Sequence, residues 1–213
     1  MKTAALILAT LALAVPGALA NPHSELAVRG RFLSPDKTVD WDSAAGIDLQ
    51  ARFWQDSRIG IGLSLGFESW DAESELSEEE DEYGYFGMDI GGRADLMPIG
   101  LSVLLRPGLS DRVSLTLEGG LRYVFVESDI TADVAVEDAF GAAFFSDVVD
   151  IDDAFLGVVG ADLEIFLGDG VSLLMGLGYQ FDLSDPSESF LGDDIGETSF
   201  TATSVNAGLS FRF

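Results

Sequence analysis

Apolar and polar residues alternate with a period of two through most of the chain after residue 25. In residues 59–67, isoleucine, leucine and phenylalanine occupy every odd position, whereas glycine and serine occupy the even positions. Residues 171–181 and 205–213 show the same alternation with aromatic residues at the ends. A period of two is typical of β-strands whose two faces meet different surroundings.

The alternation predicts eight strands and an all-β fold. Short and long connections between them alternate, with three short connections at one end and four long ones at the other. An even number of antiparallel strands connected in this way is typical of a transmembrane β-barrel with short periplasmic turns and long extracellular loops. The predicted strands are 25–34, 44–55, 58–70, 85–106, 113–126, 153–167, 171–183 and 200–213.

Two segments leave the strand pattern open to alternatives. The phase of the fourth strand slips near Met97-Pro98, which predicts a β-bulge, because proline is tolerated there. The third long loop, 127–152, contains the apolar run 139–145. This run is expected to fold over the barrel mouth, to extend strands five and six beyond the membrane, or to form a contact site. In a further alternative, residues 130–150 add a hairpin and make a barrel of ten strands.

The apolar face is expected to point outward, towards lipid. An eight-stranded barrel has an interior just wide enough for its own side chains, and a face rich in leucine and phenylalanine would overfill it. Aromatic residues on this face are expected to lie at the two membrane interfaces. The candidate interfacial residues are Phe53, Phe67, Trp70, Tyr123, Phe125, Phe155, Tyr179 and Phe181.

Both termini carry targeting features. Lys2, the apolar run 4–15 and the small residues around Ala20 predict a secretory signal peptide over 1–20, which leaves 21–213 as the barrel domain. The last residues resemble the C-terminal signal that the outer-membrane barrel assembly machinery recognises. The residues that match this signal are Asn206, Gly208, Phe211 and Phe213.

The strand pattern and the C-terminal signal together resemble the small eight-stranded outer-membrane barrels of the OmpA/OmpX type. The resemblance covers residues 25–213 as a pattern, and only the terminal signal matches residue by residue. It implies a monomer in the bacterial outer membrane, in contact with lipid and lipopolysaccharide. The peptidoglycan-binding domain that some of these proteins append is not expected, because no segment follows Phe213.

Charge changes the picture of the interior. The chain has 37 acidic and 11 basic residues, yet the inward phase holds six residues of each sign. Buried charges are costly unless they are paired, so this balance predicts a salt-bridged, closed lumen. A wet lumen or a narrow pore for ions or small solutes is the alternative, with room left by luminal glycines at 60, 62, 66, 176 and 178. The predicted network is Arg29, Arg31, Asp48, Arg52, Glu68, Arg106, Glu118, Arg122, Asp162, Glu164, Asp182 and Arg212.

Most of the remaining acidic residues lie in the long loops. In residues 71–82, eight of twelve are acidic, which predicts a solvated surface, with recruitment of divalent cations or basic partners as the functional alternative. Nucleic acid is excluded as a partner by this charge. Residues 147–153 lack the residue spacing of an EF-hand calcium loop, so no metal site is predicted.

Composition argues against catalysis. His23 is the only histidine and there is no cysteine, so a nucleophilic mechanism has no evident base. No cofactor motif is present either. The expected function is that of a membrane scaffold with acidic surface loops, with the narrow pore as the alternative. Replacing Arg52 and Arg122 by alanine should destabilise a closed barrel, but would mainly change the current through a pore.

Overall fold

The computed structural model describes residues 24–36, 41–72, 75–81, 84–108, 110, 112–138, 141–184 and 186–213. The predicted signal peptide and His23 lie outside this range. Among the described residues, no helix has the length and hydropathy needed to cross a membrane. The strands are β1 Ser24–Pro35, β2 Trp41–Trp54, β3 Ile59–Ala72, β4 Glu75–Asp81, β5 Gly84–Gly91, β6 Arg93–Leu105, β7 Val113–Ser128, β8 Ile130–Asp138, β9 Gly141–Ile151, β10 Ala154–Gly168, β11 Val171–Asp182, β12 Ser187–Phe190, β13 Asp193–Glu197 and β14 Ala202–Arg212.

Eight of these strands close into an antiparallel barrel. Their order is β1-β14-β11-β10-β7-β6-β3-β2, and β1 closes the barrel by pairing with both β14 and β2. The predicted all-β, eight-stranded barrel is therefore confirmed. Three short connections lie at the end that also holds Ser24 and Phe213, which is called the short-turn end below.

The fourth predicted strand, 85–106, is wrong as a single element. It consists of β5 and β6, which separate at Gly92. Gly92 has a φ of +139°, and a Cβ there would lie 2.5 Å from the carbonyl oxygen of Asp129, so only glycine fits without strain.

The predicted bulge at Met97-Pro98 is also wrong. Pairing of β6 with β7 runs through both residues without a shift. On the β3 side the register is the same before and after Pro98, with Leu65 opposite Ile99 and Glu68 opposite Leu96. Proline has no N–H to donate, so it interrupts the pairing without shifting the register.

The long connections form a second sheet of six strands, in the order β13-β12-β9-β8-β5-β4. Strands β8 and β9 lie between β7 and β10 in the chain. The fifth and sixth predicted strands, which are β7 and β10, are therefore extended beyond the barrel. Strands β8 and β9 pair in antiparallel fashion outside the barrel, so the alternative of ten barrel strands is wrong. Residues 139 and 140 of the predicted apolar run lie outside the described residues. From the apolar run 139–145, Phe144 and Phe145 lie on β9 and are 68% and 47% exposed.

An aromatic cluster fills the barrel at the end nearest the second sheet. The rings of Trp41, Trp70 and Phe200 contact one another, with centroids 5.4–5.7 Å apart. The surrounding buried side chains come from the barrel and from β8 and β9. This aromatic layer therefore joins the barrel interior to the core of the second sheet.

Trp70 corrects one prediction. The sequence predicts Trp70 on the lipid-facing surface, at a membrane–water interface. It is instead fully buried, because it shares the inward phase of β3 with Glu68. The other seven candidate interfacial residues lie on outward positions. Two pairs of them are in ring contact, Tyr123 with Phe125 at 5.0 Å and Tyr179 with Phe181 at 6.1 Å.

We expect the aromatic layer to contribute strongly to stability. Trp70→Ala should lower the free energy of unfolding by roughly 3–5 kcal/mol, because it leaves a large cavity among buried rings. Phe144→Ala, at an exposed position of the second sheet, should change it by less than about 0.5 kcal/mol. Urea unfolding of the refolded protein in lipid vesicles measures both values, and equal losses would contradict a structural role for this layer.

Candidate functional site: the barrel interior

The barrel interior between the aromatic layer and the short-turn end is mostly polar. Strand alternation turns the predicted charged residues inward, and the described ion pairs join eleven of the twelve to one another or to Glu25. They form two groups, which are called the central network and the short-turn network. The exception is Asp182.

Arg29 is the hub of the central network. Its guanidinium contacts three carboxylates, at 2.5 Å to Asp48, 2.9 Å to Asp162 and 3.3 Å to Glu118. The Asp162 carboxylate also accepts a hydrogen bond from Arg52 at 2.5 Å. All five side chains are at least nine-tenths buried. These pairs offset part of the cost of burying the charges.

The central network extends to the aromatic layer. Arg31 pairs with Glu68, and Arg122 lies 3.7 Å from Glu68 and 3.8 Å from Asp48. Glu68 accepts a hydrogen bond from the Trp70 indole at 3.2 Å. Gln180 accepts from Arg31 at 3.1 Å and donates to the carbonyl of Phe200 at 2.9 Å. The indole of Trp70 is therefore held by the charged Glu68, and the backbone of Phe200 is held by the neutral Gln180.

The short-turn network is built around Glu25. Both oxygens of Glu25 accept hydrogen bonds from Arg106, at 2.7 and 2.9 Å, and Arg212 reaches the same carboxylate at 2.8 Å. Arg106 also pairs with Glu164 at 2.8 Å and lies 3.9 Å from the ring centroid of Trp54. These contacts occupy the guanidinium of Arg106 on several sides.

Glu25 was missed by the sequence analysis. It stands at the first residue of the predicted first strand, and it has the same parity as Arg29 and Arg31. Extending the inward phase from Arg29 by two inward positions, through Ala27 to the strand end, would have found it.

Asp182 does not join an ion pair with any described residue. Its carboxylate accepts hydrogen bonds from Thr201 Oγ1 at 2.7 Å, from the Phe200 backbone at 3.1 Å and from Ser199 Oγ. It fixes the connection that inserts Phe200 into the aromatic layer. With Glu25 in its place, the two networks again hold six arginines and six carboxylates.

Little space remains inside the central network. A cavity of about 20 Å³ lies between Arg29, Arg122, Asp162 and Asn206. This is room for about one water molecule. A much larger cavity of about 1040 Å³ opens at the short-turn end, beside Arg106, Trp54 and Phe166.

The luminal glycines do not leave open space. A Cβ at Gly62 would meet Ser102 Oγ at 2.5 Å, and a Cβ at Gly176 would collide with the Asp162 carboxylate. A Cβ added at Gly60, Gly66 or Gly178 would likewise come too close to the side chain of Trp54, Pro98 or Ser204, respectively. Glycine at these sites makes room for neighbouring side chains.

The residues of the predicted C-terminal signal lie on β14, which pairs with β1 and β11, or directly after it. Asn206 faces the interior and is 7% exposed, whereas Phe211 and Phe213 face outward. A Cβ at Gly208 would collide with the carbonyl oxygen of Val28, so glycine allows the close approach of β1. In the part of the chain that the structure describes, no group of three or more potential metal ligands occurs.

A closed antiparallel barrel of eight strands, apolar outside and polar inside, defines the class of transmembrane β-barrels of the outer-membrane type. The family model of the outer membrane protein beta-barrel domain matches residues 5–213. The chain therefore belongs to this family, and the resemblance seen in the sequence is confirmed. Membership places the protein in the bacterial outer membrane, with its short-turn end on the periplasmic side.

The chain is also similar, at low sequence identity, to solved structures of other outer-membrane proteins. Neisserial surface protein A (NspA) is 11% identical, with a TM-score of 0.47 over 89% of this chain and 96% of that one. A major outer membrane protein from Thermus thermophilus is 15% identical, with a TM-score of 0.48 over 89% and 99%. The attachment invasion locus protein Ail of Yersinia pestis is 13% identical, with a TM-score of 0.38 over 89% and 96%. No curated protein shows significant sequence similarity to the chain.

The ion pairs predict a large difference between buried and exposed aspartates. Asp162→Asn should lower the free energy of unfolding by roughly 3–5 kcal/mol, because Arg29 and Arg52 lose their shared buried partner. Asp71→Asn removes an exposed partner of Arg93 at 3.5 Å and should cost no more than about 1 kcal/mol. Urea unfolding in vesicles compares the two variants, and a loss for Asp162→Asn as small as that for Asp71→Asn would argue against a stabilising network.

Proposed function

We propose that the protein is a closed, non-catalytic barrel that serves as a scaffold in the outer membrane. The observation that carries this proposal is the filled interior, in which the central network and the aromatic layer follow one another along the barrel axis. An ion crossing the barrel would have to displace Arg29 from three carboxylates and then pass between the rings of Trp70 and Phe200. The small central cavity and the occupied space beside the luminal glycines support the same conclusion.

We further propose that the long-loop end presents an acidic surface to divalent cations or basic molecular surfaces. Exposed carboxylates lie on or beside the second sheet, whereas the arginine described at this end, Arg93, is paired with Asp71. Surface charge of one sign raises the association rate of partners of the opposite sign. The exposed acidic residues that support this proposal are Asp147, Asp150, Asp152, Asp193, Asp194 and Glu197.

In this proposal the outward apolar wall contacts lipid and lipopolysaccharide, and the barrel acts as a monomer. The C-terminal residues from Asn206 to Phe213 serve the barrel assembly machinery during insertion. Support comes from the exposed leucine and phenylalanine side chains around the whole barrel, which need lipid rather than water as their surroundings.

A closed lumen predicts that the protein carries no ionic current. The refolded protein should be silent in a planar bilayer after its fold is verified by heat-dependent gel mobility. The balanced double variant Arg52→Ser with Asp162→Ser should admit brief current steps, because it removes one charge of each sign and opens space in the central network. Reproducible steps from the unmodified protein would contradict the proposal and favour a narrow pore.

The acidic surface predicts salt-dependent binding of a cationic probe. Replacing Asp147, Asp150 and Asp152 together by asparagine should weaken the binding of an oligolysine peptide several-fold at low salt, and the difference should shrink at physiological ionic strength. Asp169→Asn, in a short turn at the opposite end, is the matched control and should leave binding unchanged. Fluorescence anisotropy of the labelled peptide with protein in nanodiscs gives both affinities, and equal binding by all variants would refute the recruitment role.

A further inference from the structure

The large cavity at the short-turn end combines two kinds of lining that differ in polarity. Ile59, Leu105 and Leu117 form one row across β3, β6 and β7, because Ile59 pairs with Leu105 and Leu105 pairs with Leu117. These side chains face outward and are 40–47% exposed. Asp56 and Arg58, from the turn between β2 and β3, line the same cavity. An apolar strip therefore meets two opposite charges at the periplasmic rim.

The two charges are available to a ligand in different ways. The Asp56 carboxylate accepts backbone hydrogen bonds from Arg58 at 2.7 Å and Ile59 at 2.8 Å, which lower the pKa of Asp56 and keep it ionised. Arg58 forms no ion pair with a described residue. The other two arginines that line the cavity, Arg106 and Arg212, are held by Glu25. Arg58 is therefore the cation that an anionic group entering this cavity can engage without breaking an existing pair.

We propose that this cavity binds one phospholipid of the inner leaflet through a zwitterionic phosphoethanolamine headgroup. Arg58 binds the phosphate, Asp56 binds the ammonium group, and one acyl chain lies along Ile59, Leu105 and Leu117. Asp56 and Arg58 lie in the turn and Ile59 begins β3, so the headgroup would lie at the rim and the chain on the wall. The membrane itself supplies this ligand at high local concentration.

Size and wall chemistry agree with this occupant. The cavity volume of about 1040 Å³ is slightly above the range of roughly 300–1,000 Å³ for small-molecule sites, which leaves room for a headgroup with its glycerol backbone. Trp54 and Phe166, from the inward phase of β2 and β10, add aromatic walls. The buried indole N–H of Trp54 has no acceptor among the described residues, and a headgroup oxygen or a water that it holds would satisfy this donor.

The test is lipid binding to delipidated protein in detergent, followed by native mass spectrometry. The probes are dimyristoyl phosphatidylethanolamine, dimyristoyl phosphatidylglycerol, which lacks the ammonium group, and dimyristoylglycerol, which lacks the phosphate. The unmodified protein should retain one phosphatidylethanolamine in preference to both others. Arg58→Gln should weaken its binding roughly tenfold, as expected for loss of a charge-assisted contact.

Two further variants separate this site from general lipid contact. Asp56→Asn can still accept the turn's backbone hydrogen bonds, and it should abolish the preference for phosphatidylethanolamine over phosphatidylglycerol. Arg93→Gln, at the opposite end of the barrel, should bind as the unmodified protein does. The proposal is overturned if Arg58→Gln keeps full occupancy, if Arg93→Gln loses as much, or if dimyristoylglycerol binds equally well.

Discussion

Arg29 extends from β1 into the middle of the barrel and contacts carboxylates from β2, β7 and β10. Among the described ion pairs, no other side chain joins carboxylates from three further strands. The polar side chains around it fit into the narrow interior because several neighbouring positions are glycine. Gly176 leaves room for the Asp162 carboxylate that pairs with Arg29, and Gly100 leaves room for Ser64 and the side chain of Arg122. The glycine content of the strands and the arginine content of the lumen are therefore two sides of one packing constraint.

The interior network also determines what lies above it. Glu68 and Gln180 each bind a charged or polar group below and an element of the aromatic layer above. Asp182 completes the arrangement by fixing the connection that carries Phe200. Removing one partner of a buried ion pair costs more stability than removing both partners. The aromatic layer and the charged network should therefore unfold together.

Alternation with a period of two was enough to predict the barrel, its eight strands and the inward charged residues. It could not predict which charges pair, because pairing depends on strand register and on the stagger around the barrel. Asp182 faces inward as expected, but the connection around Ser199 folds back to bind it. Trp70 has the inward parity of Glu68, yet its position near a strand end suggested the membrane interface. The break at Gly92 was invisible to periodicity, because both β5 and β6 continue a strand pattern.

The distribution of apolar and polar residues reverses between the barrel and the second sheet. In the barrel, the inward face carries charges and the outward face carries exposed leucine and phenylalanine, whereas Ile130, Ala132, Val149 and Ile151 on β8 and β9 are buried in an apolar core. The first arrangement is stable in lipid and the second in water. The change from the first arrangement to the second lies close to Trp70 and Phe200. Its position therefore sets how deeply the protein lies in the membrane. The alternation of apolar and polar residues in the strands thus holds the second sheet at a fixed height above the lipid.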